Sequence, residues 1–160
     1  MDKEEIETNL QKEIETNLQK EIKEMAKLVY TNLGPGHNEK VYQKALVCEL
    51  ICRNFVIDSE RHISVKYIDS LNNQHVLESE RIDIYIHNNS RFNEGDIILE
   101  LKATMKPIQE SEKVQINKYF KELKKDNINV SYGIVINFPQ PSSKETRDDI
   151  YYKVFNNNLN

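Results

Sequence analysis

The stretch "DIILELKATMK" at 96–106 most constrains what this chain can become. It has the aliphatic density of a strand buried in a sheet, yet Glu100 and Lys102 stand in its middle. Side chains on a strand alternate between faces, so residues two apart share one. Glu100 and Lys102 therefore point the same way as Ile98, while Ile97, Leu99, Leu101 and Ala103 point into a core. The strand before it, "RIDIYIH" at 81–87, repeats the arrangement. Ile82, Ile84 and Ile86 are expected on one face, and Arg81, Asp83, Tyr85 and His87 on the other. If the two strands pair through the loop at 88–95, Asp83 comes near Glu100. Two carboxylates brought together repel unless a cation lies between them, and a hard divalent cation with oxygen ligands suits that place. Lys102 then stands beside the cation, able to orient a water or hold a phosphate oxygen. The plainer alternative is a solvated strand face on which Glu100 and Lys102 form an exposed ion pair of little worth.

The rest of the chain reads as one α/β domain. At 160 residues it is long enough to bury an adequate core without disulfides or structural metals. Hydrophobic residues make up 38% and charged residues 30%, a balance that favours a folded chain. No apolar run approaches the roughly 20 residues of a membrane span, so no membrane association is expected. The acidic start "MDKEEIETNL" does not resemble a secretory signal, and Cys48 and Cys52 then fit a reducing, intracellular (cytoplasmic) compartment. The two cysteines lie four apart on a helix with no further ligands near, which predicts core packing, not a zinc site. The net charge of −4 argues mildly against a nucleic-acid partner. Between Lys102 and Lys125, however, seven lysines against three glutamates give a local balance of +4.

"EIETNLQK" occurs at 5–12 and again at 13–20, with Ile6, Leu10, Ile14, Leu18 and Ile22 recurring every four residues. On a helix of 3.6 residues per turn such a stripe drifts, which suits a lengthened first helix better than a long flat contact. Residues 1–21 are expected to be a helical tandem-repeat extension and 22–160 the domain proper, with self-association through the extension as the functional alternative. "LGPG" at 33–36 breaks the first helix. A second helix is expected over 38–53, strands over 55–69, 75–87 and 96–103, a helix over 108–125 and a strand over 128–138. "SKETRDDIYYKVF" reads as a closing helix behind a serine cap. The order ααβββαβα predicts a central mixed sheet flanked by helices.

Several of these segments resemble, in order, the motifs of a known family. Asp83, sixteen residues and then Glu100-Leu101-Lys102 are similar to the core of the PD-(D/E)xK nuclease superfamily. Gly36-His37-Asn38-Glu39-Lys40-Val41-Tyr42 resembles the motif that names its GxxExxY family, and "QINKY", with Gln115 and Tyr119, resembles the Gln-x-x-x-Tyr helix of RecB-like nucleases. "GIVINF" at 133–138 resembles the last core strand. The one departure is Ile82, where the superfamily often has proline before the metal-binding aspartate. The resemblance covers about residues 22 to 155 and implies a restriction-endonuclease-like fold with phosphodiester hydrolysis aided by Mg²⁺ or Mn²⁺. It implies Asp83, Glu100, the Leu101 carbonyl and Glu39 as metal ligands, Lys102 as the group that positions water and phosphate, and Gln115 as its orienting neighbour. Arg81, Lys106 and Tyr119 are expected against the nucleic-acid substrate, DNA or RNA. Tyr42, on the helix face of Glu39, is expected to pack, and the four histidines to be structural or at the surface. A catalytically silent nucleic-acid-binding module and a protein-interaction module remain open on the same fold.

Overall fold

The computed structural model describes residues 2, 3, 15–89, 93–141 and 149–159. Helix α1 spans Asn17–Leu33, opened by a capping box in which Thr16 Oγ1 takes the Gln19 amide and the Gln19 side chain takes the Thr16 amide. Leu18, Ile22, Met25, Ala26 and Val29 are buried, a three-and-four spacing that lays one stripe on the core. The boundary expected at residue 22 thus falls inside a helix whose core contacts begin at Leu18, within the second copy of the repeat. Residues 4–14, most of the repeat, lie outside the described residues. Gly34 ends α1 at φ +71°, a left-handed turn that glycine enters at little cost, and its amide bonds the Tyr30 carbonyl at 2.8 Å.

Helix α2, Glu39–Cys52, is capped by Asn38 and buries Tyr42, Gln43, Leu46 and Leu50. With that row turned inward, positions 48 and 52 turn outward. Cys48 and Cys52 are exposed, contrary to the core packing expected of them, because the pair sits on the row of α2 facing away from α1 and the sheet.

Five strands form one sheet in the order β1-β2-β3-β4-β5. Strands β1 (Ile57–Ile68) and β2 (Gln74–Ile86) make a long antiparallel hairpin, and β3 (Asp96–Lys102) adds antiparallel to β2. Helix α3, Glu110–Lys125, crosses over to β4 (Val130–Asn137), which lies parallel to β3. The closing element is not the helix expected from "SKETRDDIYYKVF". Tyr151–Asn156 forms β5, antiparallel to β4, while residues 142–148 lie outside the described residues. Ile150, Tyr152 and Val154 face one core and Phe155 the other, the period of two of a strand. The serine cap and acidic start suggested a helix; the aromatic and β-branched run, given an open edge on β4, pairs instead. The architecture is a single α/β domain with a mixed sheet between helices.

The sheet separates two apolar layers. Ile84, Ile86, Ile97, Leu99 and Leu101 pack against α1 and α2; Ile98 and Val135 pack against Ile116, Tyr119 and Phe120 of α3. Each fully buried aliphatic side chain contributes roughly 1.5–3 kcal/mol by leaving water. Helix α3 sits close to the sheet because Gly133 has no side chain: a Cβ there would lie 2.9 Å from Ile116. Ile82 departs from the expected face. It packs with Ile98 and Tyr119, not with Ile84 and Ile86. The cause is local: the β1–β2 register is the same on either side, Ser59↔Ile84 and Arg61↔Ile82, but Glu60, at φ +58°, and Asp83 opposite it are left out of the ladder, so the regular strand backbone and its alternation are interrupted there. Among the described residues no helix is long and apolar enough to cross a membrane.

Candidate active site

The interruption at Asp83 builds the site. Pairing between β2 and β3 ends at Ile84↔Leu99, one step short of Asp83 and Glu100. Past that point the Leu101 amide donates to Asp83 Oδ2 at 2.8 Å, a side-chain bond where a backbone bond would otherwise lie. The strands therefore part around a carboxylate. Glu100, on β3 beside it, is only 4% exposed. Its Oε1 is 3.7 Å from Lys102 Nζ, and its Oε2 is buried with no hydrogen-bond partner. Among the described residues that oxygen is the one buried side-chain polar atom left in this state.

The electrostatics follow from the burial. Glu100 is pushed up to about 8, first by loss of water and then by Asp83, with Lys102 opposing and Glu39 adding. Asp83 is also raised by burial, held back by the Leu101 amide and by Lys40 and Lys102. Glu39, in the first turn of α2, is raised by burial and then by Asp83, with Lys102 and Lys40 opposing. Burial thus raises three carboxylates from α2, β2 and β3, with Asp83 adding to Glu39 and Glu100, and Lys40 and Lys102 oppose it.

The other expected residues are placed as follows. Gln115 donates to the Tyr119 hydroxyl at 2.8 Å, and that hydroxyl is 3.4 Å from the Arg81 carbonyl it can donate to. The Tyr119 ring is buried, and its acidity is suppressed by burial and by Glu100. The Arg81 guanidinium is exposed and reaches Glu60 at 3.5 Å. Lys106 is exposed in the loop after β3, which buried Asn137 pins through Thr104 and the Lys106 carbonyl. Leu101 meets Asp83 through its amide. Tyr42 packs as expected, stacked on Phe138 at 4.6 Å with its hydroxyl donating to the Gly34 carbonyl at 2.7 Å. His75 and His87 pair with Asp69 and Asp58, away from the carboxylates.

Two polar residues at the site escaped the sequence reading. Gln43 is buried and donates to the Asp83 carbonyl and to Glu60 Oε1, each at 3.1 Å. Its place four residues after Glu39, on the same helix face, was the available signal. Glu60 carried none, because its role depends on a left-handed backbone in the middle of a strand.

Whether these residues fit a divalent cation can be judged from their chemistry. The donors are hard oxygens, one buried carboxylate oxygen has no partner, and burial with a neighbouring carboxylate makes Glu39 and Glu100 hard to ionise; a cation suits the first and would relieve the other two conditions. Among the described residues no three His, Cys, Asp or Glu side chains converge into a ready-made cage, so closing one requires side-chain adjustment. The donor set fits.

A mixed sheet with an antiparallel β1–β2–β3 meander, a β3–α3–β4 crossover, aspartate on β2 and Glu-x-Lys on β3 defines the restriction-endonuclease-like class of α/β folds. The family model of the PD-(D/E)XK nuclease superfamily matches residues 16–149, and the chain belongs to that superfamily. The solved structure of SSO0001 is similar in fold, with a TM-score of 0.51 at 18% identity, covering 76% of this chain and 52% of that one. This chain therefore spans about half the length of SSO0001. Among curated proteins none matches.

Proposed function

We propose that this chain is a metal-dependent nuclease of the GxxExxY kind that hydrolyses phosphodiester bonds in nucleic acid. The observation that carries the reading is the buried, unpartnered Glu100 Oε2, set among mutually opposed carboxylates with Lys102 at 3.7 Å from its sister oxygen. Burying a carboxylate without a partner is costly, and such cost is retained where a ligand removes it. Asp83, Glu100 and Glu39, with the Leu101 carbonyl, would hold Mg²⁺ or Mn²⁺. Bound there, the cation would supply Lewis acidity toward the phosphate and make water more acidic.

The chain's own groups do the rest. Lys102 keeps its ammonium beside Glu100, where it can donate to the attacking water and to a phosphate oxygen as negative charge develops. Its stem rises from the same strand face as Glu100, so the two are set by the backbone and not by loop closure. Gln115 and Tyr119 brace the β2 backbone at Arg81, two residues before Asp83, and so bear on the position of that carboxylate. Arg81 and Lys106, both exposed, suit the substrate's phosphates.

The test is calorimetric Mn²⁺ titration beside cleavage of single- and double-stranded DNA and RNA. Asp83→Ala and Glu100→Ala are expected to lose both cation binding and cleavage. Lys102→Ala is expected to keep the cation and lose about 10²–10³ in rate, the cost of removing one preorganised charge. Cation binding without cleavage of any of the four substrates would replace this reading with a silent binding module.

A further inference from the structure

We infer that Lys40 and Arg81, gathered around the Glu60 carboxylate, form a second anion subsite that takes a backbone phosphate neighbouring the one cleaved. The inference rests on the nuclease reading and adds to it a site for the substrate strand.

Glu60 is a non-glycine residue at φ +58°, a conformation that a side chain of its size enters at a cost. It breaks the β1–β2 ladder opposite Asp83 and directs its carboxylate to three donors. Lys40 Nζ forms an ion pair with Glu60 Oε1, Gln43 Nε2 donates to that oxygen at 3.1 Å, and Arg81 reaches Oε2 at 3.5 Å. Two cations meet on one carboxylate, so within the cluster itself positive charge exceeds negative, while Lys40 also answers Asp83 and Glu39 at the active site. The side chains of Lys40 and Arg81 are 55% and 60% exposed, against 29% for Glu60, so the cations face solvent with the anion beneath them.

The cluster is tied to the candidate active site by covalent and hydrogen-bond links. Lys40 follows Glu39 in α2, and Arg81 lies two residues before Asp83 in β2. Gln43 joins them, bonding Glu60 with the same amide that donates to the Asp83 carbonyl at 3.1 Å. A phosphodiester held at the carboxylates has phosphates on either side along its strand, and a paired set of exposed cations next to the site can receive one. Exposed ion pairs contribute little on their own, so turning Lys40 and Arg81 from Glu60 toward a phosphate forfeits little. Arginine in particular matches a phosphate with two parallel donors.

The experiment measures binding of short DNA and RNA oligonucleotides by fluorescence anisotropy over a range of salt, without Mg²⁺ or Mn²⁺. Replacing Lys40 and Arg81 together by alanine is expected to weaken binding about tenfold to a hundredfold and to lower the salt slope by about 1, as for the loss of one neutralised phosphate. Glu60→Gln removes the competing anion and is expected to tighten binding, whereas a purely bracing Glu60 would leave it unchanged or weaker, which counts against the subsite. A chemical probe covers the case in which the variants fold poorly. Oligonucleotides carrying a single neutral methylphosphonate are scanned across the positions flanking the cut. Wild type is expected to lose affinity at one flanking position, and the double variant to be indifferent there. If the wild type binds but no flanking position matters, or if the double variant keeps affinity and salt slope, the subsite is wrong and the nuclease reading stands. If the wild type neither binds nor cleaves any oligonucleotide, both fall together.

Discussion

Glu100 on β3 and Glu122 on α3 are buried almost equally, 4% and 5% exposed, and their surroundings differ in kind. Glu122 Oε1 takes Lys125 Nζ at 2.9 Å within α3, and its Oε2 takes the Lys66 amide at 3.4 Å, joining α3 to β1, so both oxygens are used. Glu100 has one oxygen at 3.7 Å from an ammonium, one with no partner, and two carboxylates near it. A buried carboxylate is thus no sign of function by itself. The sign is a buried carboxylate whose needs the protein leaves unmet, because only a bound group can then meet them.

Exchanging each acid for its amide breaks the comparison most directly. Glu100→Gln is expected to reduce cleavage by about 10²–10³ or more while leaving the metal-free protein as stable as wild type or more so, since it removes a buried carboxyl that is costly to ionise and has one oxygen without a partner. Lower activity together with a lower melting temperature would make Glu100 structural.

The second effect is on pH dependence. Glu100 titrates near 8 in the folded chain against 4.5 for an ordinary glutamate, so the native state holds a proton there that the unfolded state has released. That contribution to stability is fully present below about pH 4.5 and is lost as pH rises through about 8. It is on the order of a few kcal/mol. Asp83 and Glu39, also raised, act with the same sign. Denaturant melts of metal-free protein from pH 5 to 9 should show the decline, and Glu100→Gln should flatten it. Mn²⁺ competes with the same proton, so its affinity should climb across that interval.

Glu122→Gln gives the contrasting case. It keeps the shape but loses charge-assisted acceptance from Lys125, and it should cost about 1–3 kcal/mol of stability with cleavage unaltered. The smallest effect is expected from deleting residues 1–15. Thr16, the cap of α1, and Leu18, the first core residue of that helix, both remain. Melting should move by no more than about 0.5 kcal/mol equivalent. A larger drop would show that the repeat packs on the domain, and a change only in apparent mass by size exclusion would show that it mediates association.

What the sequence determined by itself is local and periodic. Alternation in "DIILELK" placed Glu100 with Lys102, because a strand's period of two is a property of its backbone, and the expected pairing of "RIDIYIH" with it through a short loop put Asp83 near them. The first three helices, the "LGPG" break and the order of motifs were readable for the same reason, each lying within a few residues of chain. What the tertiary structure decided involves partners distant in sequence. Tyr151–Asn156 became a strand because β4 offered an edge, and no local signal reports an edge. Cys48 and Cys52 turned outward because α1 and the sheet claimed the opposite row of α2. Ile82 changed face, and Glu60 came to hold Lys40, Gln43 and Arg81, because the ladder breaks at one step between β1 and β2. Register and its interruptions depend on what each strand meets across the sheet, and that is a property of the assembled fold and not of any segment read alone.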